Sequence, residues 1–305
     1  MEYLQFIIII IFSPLIQGII KKLKANMQGR VGPGVFQPYY DLIRLLRKDM
    51  VVSRVTSWIF KATPYIVFAS TVSSAMIIPI ITTRSSFGMM GDVIAVIYLF
   101  AAGRFFMALA GLDAGTAFGG EGSSREMTVS ILVEPMMMLS IFTAAISAGS
   151  TNIARIAETQ NLFYSPPHIL ALSAFVVAVV AETGRIPVDN PDTHLELTMI
   201  HEGMLLEYSG RYLALMEWAH YMKQMLLFTL AVDIFFPIGM DSGGAPALIA
   251  ASFGIYLGKM FLMACVMALI ESARVKLRFF QLPSLLGGAF VLALLSLLTY
   301  IMIGK

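Results

Sequence analysis

Eight stretches of this chain stay apolar for about the thickness of a bilayer's hydrocarbon core, and no motif limits the possible folds as strongly. They lie near 3–20, 62–82, 93–112, 127–148, 168–183, 212–236, 246–270 and 284–303, the fifth being the shortest. An apolar run of ~18 residues or more can cross the core as a helix, and a helix satisfies all of its own backbone donors and acceptors there. The expected fold is therefore all-α, a polytopic membrane protein of about eight transmembrane helices in a single integral membrane domain, 1–305. Composition agrees: the chain is 58% hydrophobic and only 13% charged, with a mean hydropathy of +0.79. The first run is followed by Lys21, Lys22 and Lys24. A secretory signal places its positive charge ahead of the apolar run, so this segment reads as a retained first span.

Lysine and arginine in short loops set orientation, because loops on the cytoplasmic side keep positive charge. The inner loops 21–61, 113–126, 184–211 and 271–283 hold 15 of the 21 basic residues, and the other side holds Arg84, Arg155 and Lys305. Both termini are thus expected outside. The net charge of +2 follows topology and gives no case for nucleic acid. With Cys265 as the single cysteine, an intrachain disulfide is impossible, and a cysteine-ligated metal cluster built from this chain alone is not expected.

Against this apolar background one stretch stands apart. Ala181 to Trp218 holds seven of the chain's 19 acids, Glu182, Asp189, Asp192, Glu196, Glu202, Glu207 and Glu217, with His194 and His201 and only Arg185 and Arg211 to balance them. Ionisable groups at or in a bilayer are functional candidates. Pro187 and Pro191 keep 185–192 out of a regular helix, and Asp192 or Thr193 could cap one starting near His194. On that helix Glu196, Ile200, Gly203 and Glu207 would share a face, with His194, Thr198 and His201 beside them. Crowded carboxylates in a dry place repel one another and exchange protons near neutrality. The other reading is that these acids pair with basic residues of a peripheral partner. His201 and Glu202 begin no HExxH zinc motif, since Leu205 stands where the second histidine would be, and His194 and His201 are too far apart to share a metal on one helix. No metal site is expected.

Elsewhere, Pro38 can open a basic amphipathic helix in which Tyr39, Leu42, Ile43 and Leu46 recur on one side, lying in the membrane surface. The Gly- and Ser-rich inner loop 113–126 reads as a flexible run that marks a close approach to another chain or a tight turn. Within the spans, Glu134, which precedes Pro135, and Lys259 fit a proton relay, while Arg104 and Asp233 are expected to snorkel to an interface.

Five motifs, GRVGPGVFQPYYDLIRLLRKD, EGSSREMTVSILVEP, AETGRIPVDNP, EYSGRYLALMEWAHY and ESARVKLRFFQLP, occur in an order that resembles the complex I membrane subunit that docks the quinone-reducing arm. The stretch DNPDTHLELTMIHEGMLLEYSG is more similar to the membrane subunit of energy-converting nickel-iron hydrogenases and formate hydrogenlyases. The resemblance implies a membrane subunit beneath a hydrogenase module in a prokaryotic cytoplasmic membrane, coupling electron transfer to export of H⁺ or Na⁺. Its implied partners are the hydrogenase large and small subunits, an iron-sulfur subunit and antiporter-like membrane subunits. The nickel-iron centre and iron-sulfur clusters would sit in those partners, with no cofactor in this chain. Carried over residue by residue, the acidic path falls on Glu134, Glu182, Glu207 and Glu217. Asp189, Glu196, Glu202, His194, His201 and Lys259 join it from the reading of the residues. Arg30, Gln37, Asp41, Arg44, Arg125, Arg185, Arg211, Arg274 and Arg278 form the expected docking set for the peripheral arm. The alternatives are a quinone-site subunit of a complex I-type oxidoreductase, a self-sufficient secondary transporter and a passive anchor.

Overall fold

The computed structural model describes residues 2–81, 91–159, 165–189, 199–240 and 246–303, and is all-helical over them, apart from a single bridge between Asp92 and Asn152. Eleven α-helices follow in order: α1 Glu2–Met27, α2 Gln37–Arg47, α3 Trp58–Ile77, α4 Val93–Asp113, α5 Ala117–Ala148, α6 Ile153–Glu158, α7 Pro166–Glu182, α8 His201–Leu205, α9 Gly210–Phe235, α10 Pro246–Ala273 and α11 Leu282–Ile303. Each of the eight apolar stretches coincides with one of the long helices. Five segments, Gln5–Met27, Val93–Asp113, Ala117–Ala148, Ile249–Ala273 and Phe279–Met302, are long and apolar enough to cross a membrane. The helix α7 is apolar but short, and α9 carries four acidic or basic side chains, Arg211, Glu217, Lys223 and Asp233, besides His220.

The helix α9 is the post around which the others stand. Every residue from Gln224 to Phe235 is buried, with α1, α3, α7 and α10 packed about it. A helix apolar on all sides belongs in the middle of a bundle. Lipid tails offer helices no hydrophobic gain over one another, so close packing through small residues does much of the work. Ala171, Ala174 and Ala178 on α7 are fully buried, where α7 meets α5 and α11. Thr143 and Ser296 share a hydrogen bond of 2.7 Å between α5 and α11.

The segment 113–126 is mostly helix, not a flexible loop. Thr116 caps α5 by accepting the Gly119 amide at 3.3 Å, and α5 then runs 32 residues, roughly 48 Å at 1.5 Å per residue. Its first turns therefore project past a ~30 Å core. The glycines are there for backbone contact within the chain: a Cβ on Gly119 would collide with the Gly111 carbonyl of α4, and one on Gly122 would lie 2.9 Å from the Ile200 carbonyl.

The amphipathic helix is also placed differently from its sequence pattern. Pro38 and Leu42 are buried in the contact of α2 with α9 and α1. Tyr40, Ile43 and Leu46 point outward, so the apolar stripe is split between the bundle and the surroundings.

Gly119→Val should destabilise the folded protein by about 1–3 kcal/mol through overpacking, whereas Gly120→Ala, whose Cβ would meet nothing within 4 Å, should be neutral or stabilising. Thermal unfolding of the detergent-extracted protein compares the two; equal midpoints would contradict the tight α4–α5 contact.

Candidate functional site

The sequence ETGRIP at the end of α7 aims two opposite charges at two different neighbourhoods. Glu182 is the last residue of the helix, Gly184 has φ +55°, and the Ile186–Pro187 peptide is cis. The Val188 amide closes the turn onto the Arg185 carbonyl at 2.8 Å.

On one side Glu182 meets Arg104 of α4, and Lys223 of α9 approaches the same oxygen at 2.7 Å. Arg104 also donates to Glu134 at 2.7 Å and lies 3.9 Å from Glu126, both on α5. Arg104 is only 6% exposed, and it sits in the interior as the hub of three carboxylates, which overturns its expected place at an interface. A buried guanidinium cannot stand alone, and its planar fork of donors suits several carboxylates at once. Three carboxylates face two cations, so the cluster has one negative charge in excess, which a proton can neutralise.

On the other side Arg185 is 3% exposed. It donates to Glu271 of α10 and Gln224 of α9, at 2.8 Å each, and contacts Gln17 of α1. Lys24 pairs with Glu271 at 3.1 Å. Arg185, expected to dock a partner, instead ties three helices together inside the bundle.

Asp189 holds the next segment. Its Oδ2 accepts the amides of Ile200 and His201, each at 3.2 Å, and Oδ1 accepts Lys276 at 2.7 Å. The helix expected from His194 through Glu207 is, among the described residues, only the five of α8; His194 and Glu196 lie outside the described residues. Glu207 falls in a turn beyond α8 because EYSG is fastened to the start of α3. Tyr208 stacks on Phe60 at 4.0 Å and donates to the Phe60 carbonyl at 2.9 Å. Ser209 exchanges two hydrogen bonds with the backbone of Val51. Gly210, at φ +53°, passes so close to the 48–49 backbone that a Cβ would lie 2.6 Å from the Asp49 carbonyl.

Between these parts lies a cavity of about 280 Å³ at the α2 end of the bundle, lined by Gln17, Lys21, Asp41, Arg185, Asp189, His201, Glu202, Glu217, His220 and Tyr221 with a few leucines. A narrower space of about 30 Å³ follows, enough for at least one water. It is lined by Arg104, Glu126 and Lys223 together with Phe100 and other apolar side chains. His201 and His220 line both spaces, their rings 4.9 Å apart. A polar trail therefore runs from the cavity, past two imidazoles, to the Arg104 cluster. Burial, and then the charge of Lys223, hold the His201 imidazole down at about 4, so it is neutral at neutral pH.

Of the expected path residues, Glu134 and Glu182 meet at Arg104, and Asp189, Glu202, Glu217 and His201 line the cavity. Glu207 is not among the residues lining the cavity, and Lys259 is at the far end, donating to the Phe236 carbonyl at 2.8 Å. Glu126, His220, and the places of Lys223 and Arg104 in the site were missed from sequence; the local signals were a lone charge within an apolar run for Arg104 and Lys223, a histidine one turn from Glu217, and for Glu126 only an acid beside Arg125. In the expected docking set, Arg30, Arg44, Arg211, Arg274 and Arg278 are exposed. Gln37 bonds Asp41 at 2.9 Å, and Arg125 is half-buried, holding the Met199 carbonyl at 2.9 Å.

An assembly of this kind has a solved counterpart in fold. A chain in the structure of the membrane-bound sulfane sulfur reductase, an archaeal respiratory membrane complex, superposes with a TM-score of 0.84 over 97% of this chain and 98% of that one, at 20% identity. The sequence matches the NADH dehydrogenase family over residues 1–303, and the chain belongs to that family. It is 36% identical to formate hydrogenlyase subunit 4 of Escherichia coli, covering 96% of this chain and 95% of that one. To hydrogenase-4 component C of the same organism it is 37% identical, covering 96% and 92%. A subunit of the NADH-quinone oxidoreductase of Thermomicrobium roseum is 30% identical, covering 70% of each chain. The apolar helices and these relatives together make this a multi-pass membrane protein.

Arg104→Gln should destabilise by about 1–3 kcal/mol, because it leaves Glu182 to Lys223 alone and takes from Glu134 the guanidinium it accepts from. Arg104→Gln combined with Glu182→Gln should recover part of that loss. Unfolding midpoints of the purified protein test this, and equal midpoints for single and double variants would refute the hub. For pH, the unfolded imidazole binds a proton below ~6.5 while folded His201 waits until about 4. Its contribution is therefore complete above pH ~6.5 and falls as pH drops toward 4. His201→Gln should flatten that part of the stability–pH curve, measured by thermal unfolding across the window.

Proposed function

We propose that this chain is the membrane subunit of an energy-converting hydrogenase or formate hydrogenlyase complex, anchoring the peripheral redox arm and coupling electron transfer to H⁺ or Na⁺ translocation. The reading draws on the relatives named above, but one observation carries it: His201 and His220 line both the polar cavity and the narrow space that reaches Glu126 and the two cations, Arg104 and Lys223, that hold Glu134 and Glu182. A passive anchor has no use for five ionisable side chains gathered at a buried Arg104–Glu182 pair, since charges are costly to hold away from water.

On this reading all eight long helices span a prokaryotic cytoplasmic membrane, with both termini outside and the α2 end facing the cytoplasm, as the lysine and arginine distribution supports. The exposed Arg30, Arg44, Arg211, Arg274 and Arg278 face the hydrogenase large and small subunits and an iron-sulfur subunit. The nickel-iron centre and clusters of those partners would supply the electron chemistry. Antiporter-like membrane subunits would take up the coupling inside the bilayer. In this chain, Glu202 and Glu217 exchange protons with cavity water, His201 and His220 bridge the narrow passage, and Glu126, Glu134 and Glu182 compete for two cations. Moving one proton among the three carboxylates shifts which of them Arg104 and Lys223 hold, and so carries a charge signal toward α5.

A quinone-site role is the second reading, supported by the NADH-quinone oxidoreductase relative. The lining of the cavity argues against it, because ionisable side chains outnumber apolar ones, whereas small-molecule pockets are mostly apolar with a few polar groups.

In sealed inverted vesicles, Glu182→Gln in the whole complex should abolish ion movement per hydrogen formed. Unchanged coupling in an assembled Glu182→Gln complex would defeat the reading, and hydrogen formation that requires added quinone would favour the second.

A further inference from the structure

The end of the bundle away from the cavity holds an acid that the path above does not use. Asp233, two residues before the end of α9, is 1% exposed, and neither of its carboxyl oxygens has a hydrogen-bond partner among the described residues. It does not snorkel to an interface. Glu182, also buried, is held by two cations, so a bare buried carboxyl is not the rule among the described residues. Such a group must either carry a proton or be met by a cation.

One cation is in reach. Of the elements packed on α9 at this end, α10 carries Lys259 and Tyr256, α7 carries His168, and α6 carries the exposed Arg155 and Glu158. The side chains described on α1, from Gln5 onward, and those on α3 and α5 include no ionisable group there. Lys259 is the charged group whose field reaches Asp233. Its ammonium rests instead on the Phe236 carbonyl, at 2.8 Å, where a cation suits the negative end of α9. An ionised Asp233 would offer that ammonium a stronger, charge-assisted partner three residues away. One turn further in, Thr229 and Tyr256 join by a 2.8 Å hydrogen bond. Thr229 lies four residues before Asp233 and Tyr256 three before Lys259, so the four polar side chains share the α9–α10 contact.

We propose that Asp233 and Lys259 form a proton-exchange station at the end of the bundle opposite the cavity. With its proton on, Asp233 is neutral and Lys259 stays on the Phe236 carbonyl. When the proton leaves to water on that side, Lys259, charged throughout, turns onto the carboxylate; a new proton on Asp233 releases it. This rests on the ion-coupling reading and adds to it a second station, separated from the Arg104 cluster by the apolar middle of α9.

The test uses the intact complex in sealed vesicles, reading protons moved per hydrogen formed. Asp233→Asn and Lys259→Met should each lose that ratio, while Asp233→Glu should retain part of it. Wild-type coupling in an assembled Asp233→Asn complex would overturn the station and leave the Glu182 result standing. Should Asp233→Asn fail to assemble, Lys259→Met alone decides by the same ratio. Should the wild-type complex move no ions, the coupling reading fails, and infrared difference spectra still judge the station. A protonated-carboxyl C=O band present in wild type, absent in Asp233→Asn and shifted in Lys259→Met supports it; no such band in wild type refutes it.

Discussion

The structure depends on one guanidinium held where water is scarce. Arg104 cannot be buried on α4 without counter-charges, and the acids that supply them come from α5 and α7. In a medium of low dielectric these attractions are strong, but each is offset by the desolvation of its partners. The cluster therefore fixes how three helices register on one another more than it adds net stability. Lys223 brings α9 into the same knot.

The turn after α7 extends that logic. Glu182 and Arg185, three residues apart, face opposite ways: one completes the α4–α5–α9 cluster, the other ties α1, α9 and α10 through Glu271, Gln224 and Gln17. Asp189, four residues on, clasps α8 and Lys276. A disturbance of charge at the cavity is thus next to the contacts that hold the bundle together, the arrangement expected where local electrostatics bias a larger packing change. EYSG performs a mechanical task beside it, since Tyr208, Ser209 and Gly210 pin the start of α9 against the start of α3 and the end of α2.

Much of this was legible before any coordinates. Apolar length located the long helices, and Pro38 marked the start of α2. The density of acids between Ala181 and Trp218 pointed to a stretch that lines the cavity, and Glu134 and Glu182 share Arg104. What misled was local pattern read without neighbours. Glycines at 111, 119 and 122 suggest a loop when seen alone, yet they mark where backbones touch. Arg104 looked like a candidate for snorkelling because nothing near it in sequence pairs with it. Its partners are 22, 30 and 78 residues away.

By itself the sequence determined that this chain forms long apolar helices and that its charges gather at a few points along them. Hydropathy and residue type are local properties, and the bilayer acts on each segment separately. Only the tertiary structure decided which charges meet. Glu126, His220 and Lys223 became part of the site, Arg185 became an internal tie, and Asp233 was left without a hydrogen-bond partner among the described residues, because pairing in a dry interior depends on which helix faces which and at what depth. No spacing within a single helix encodes that.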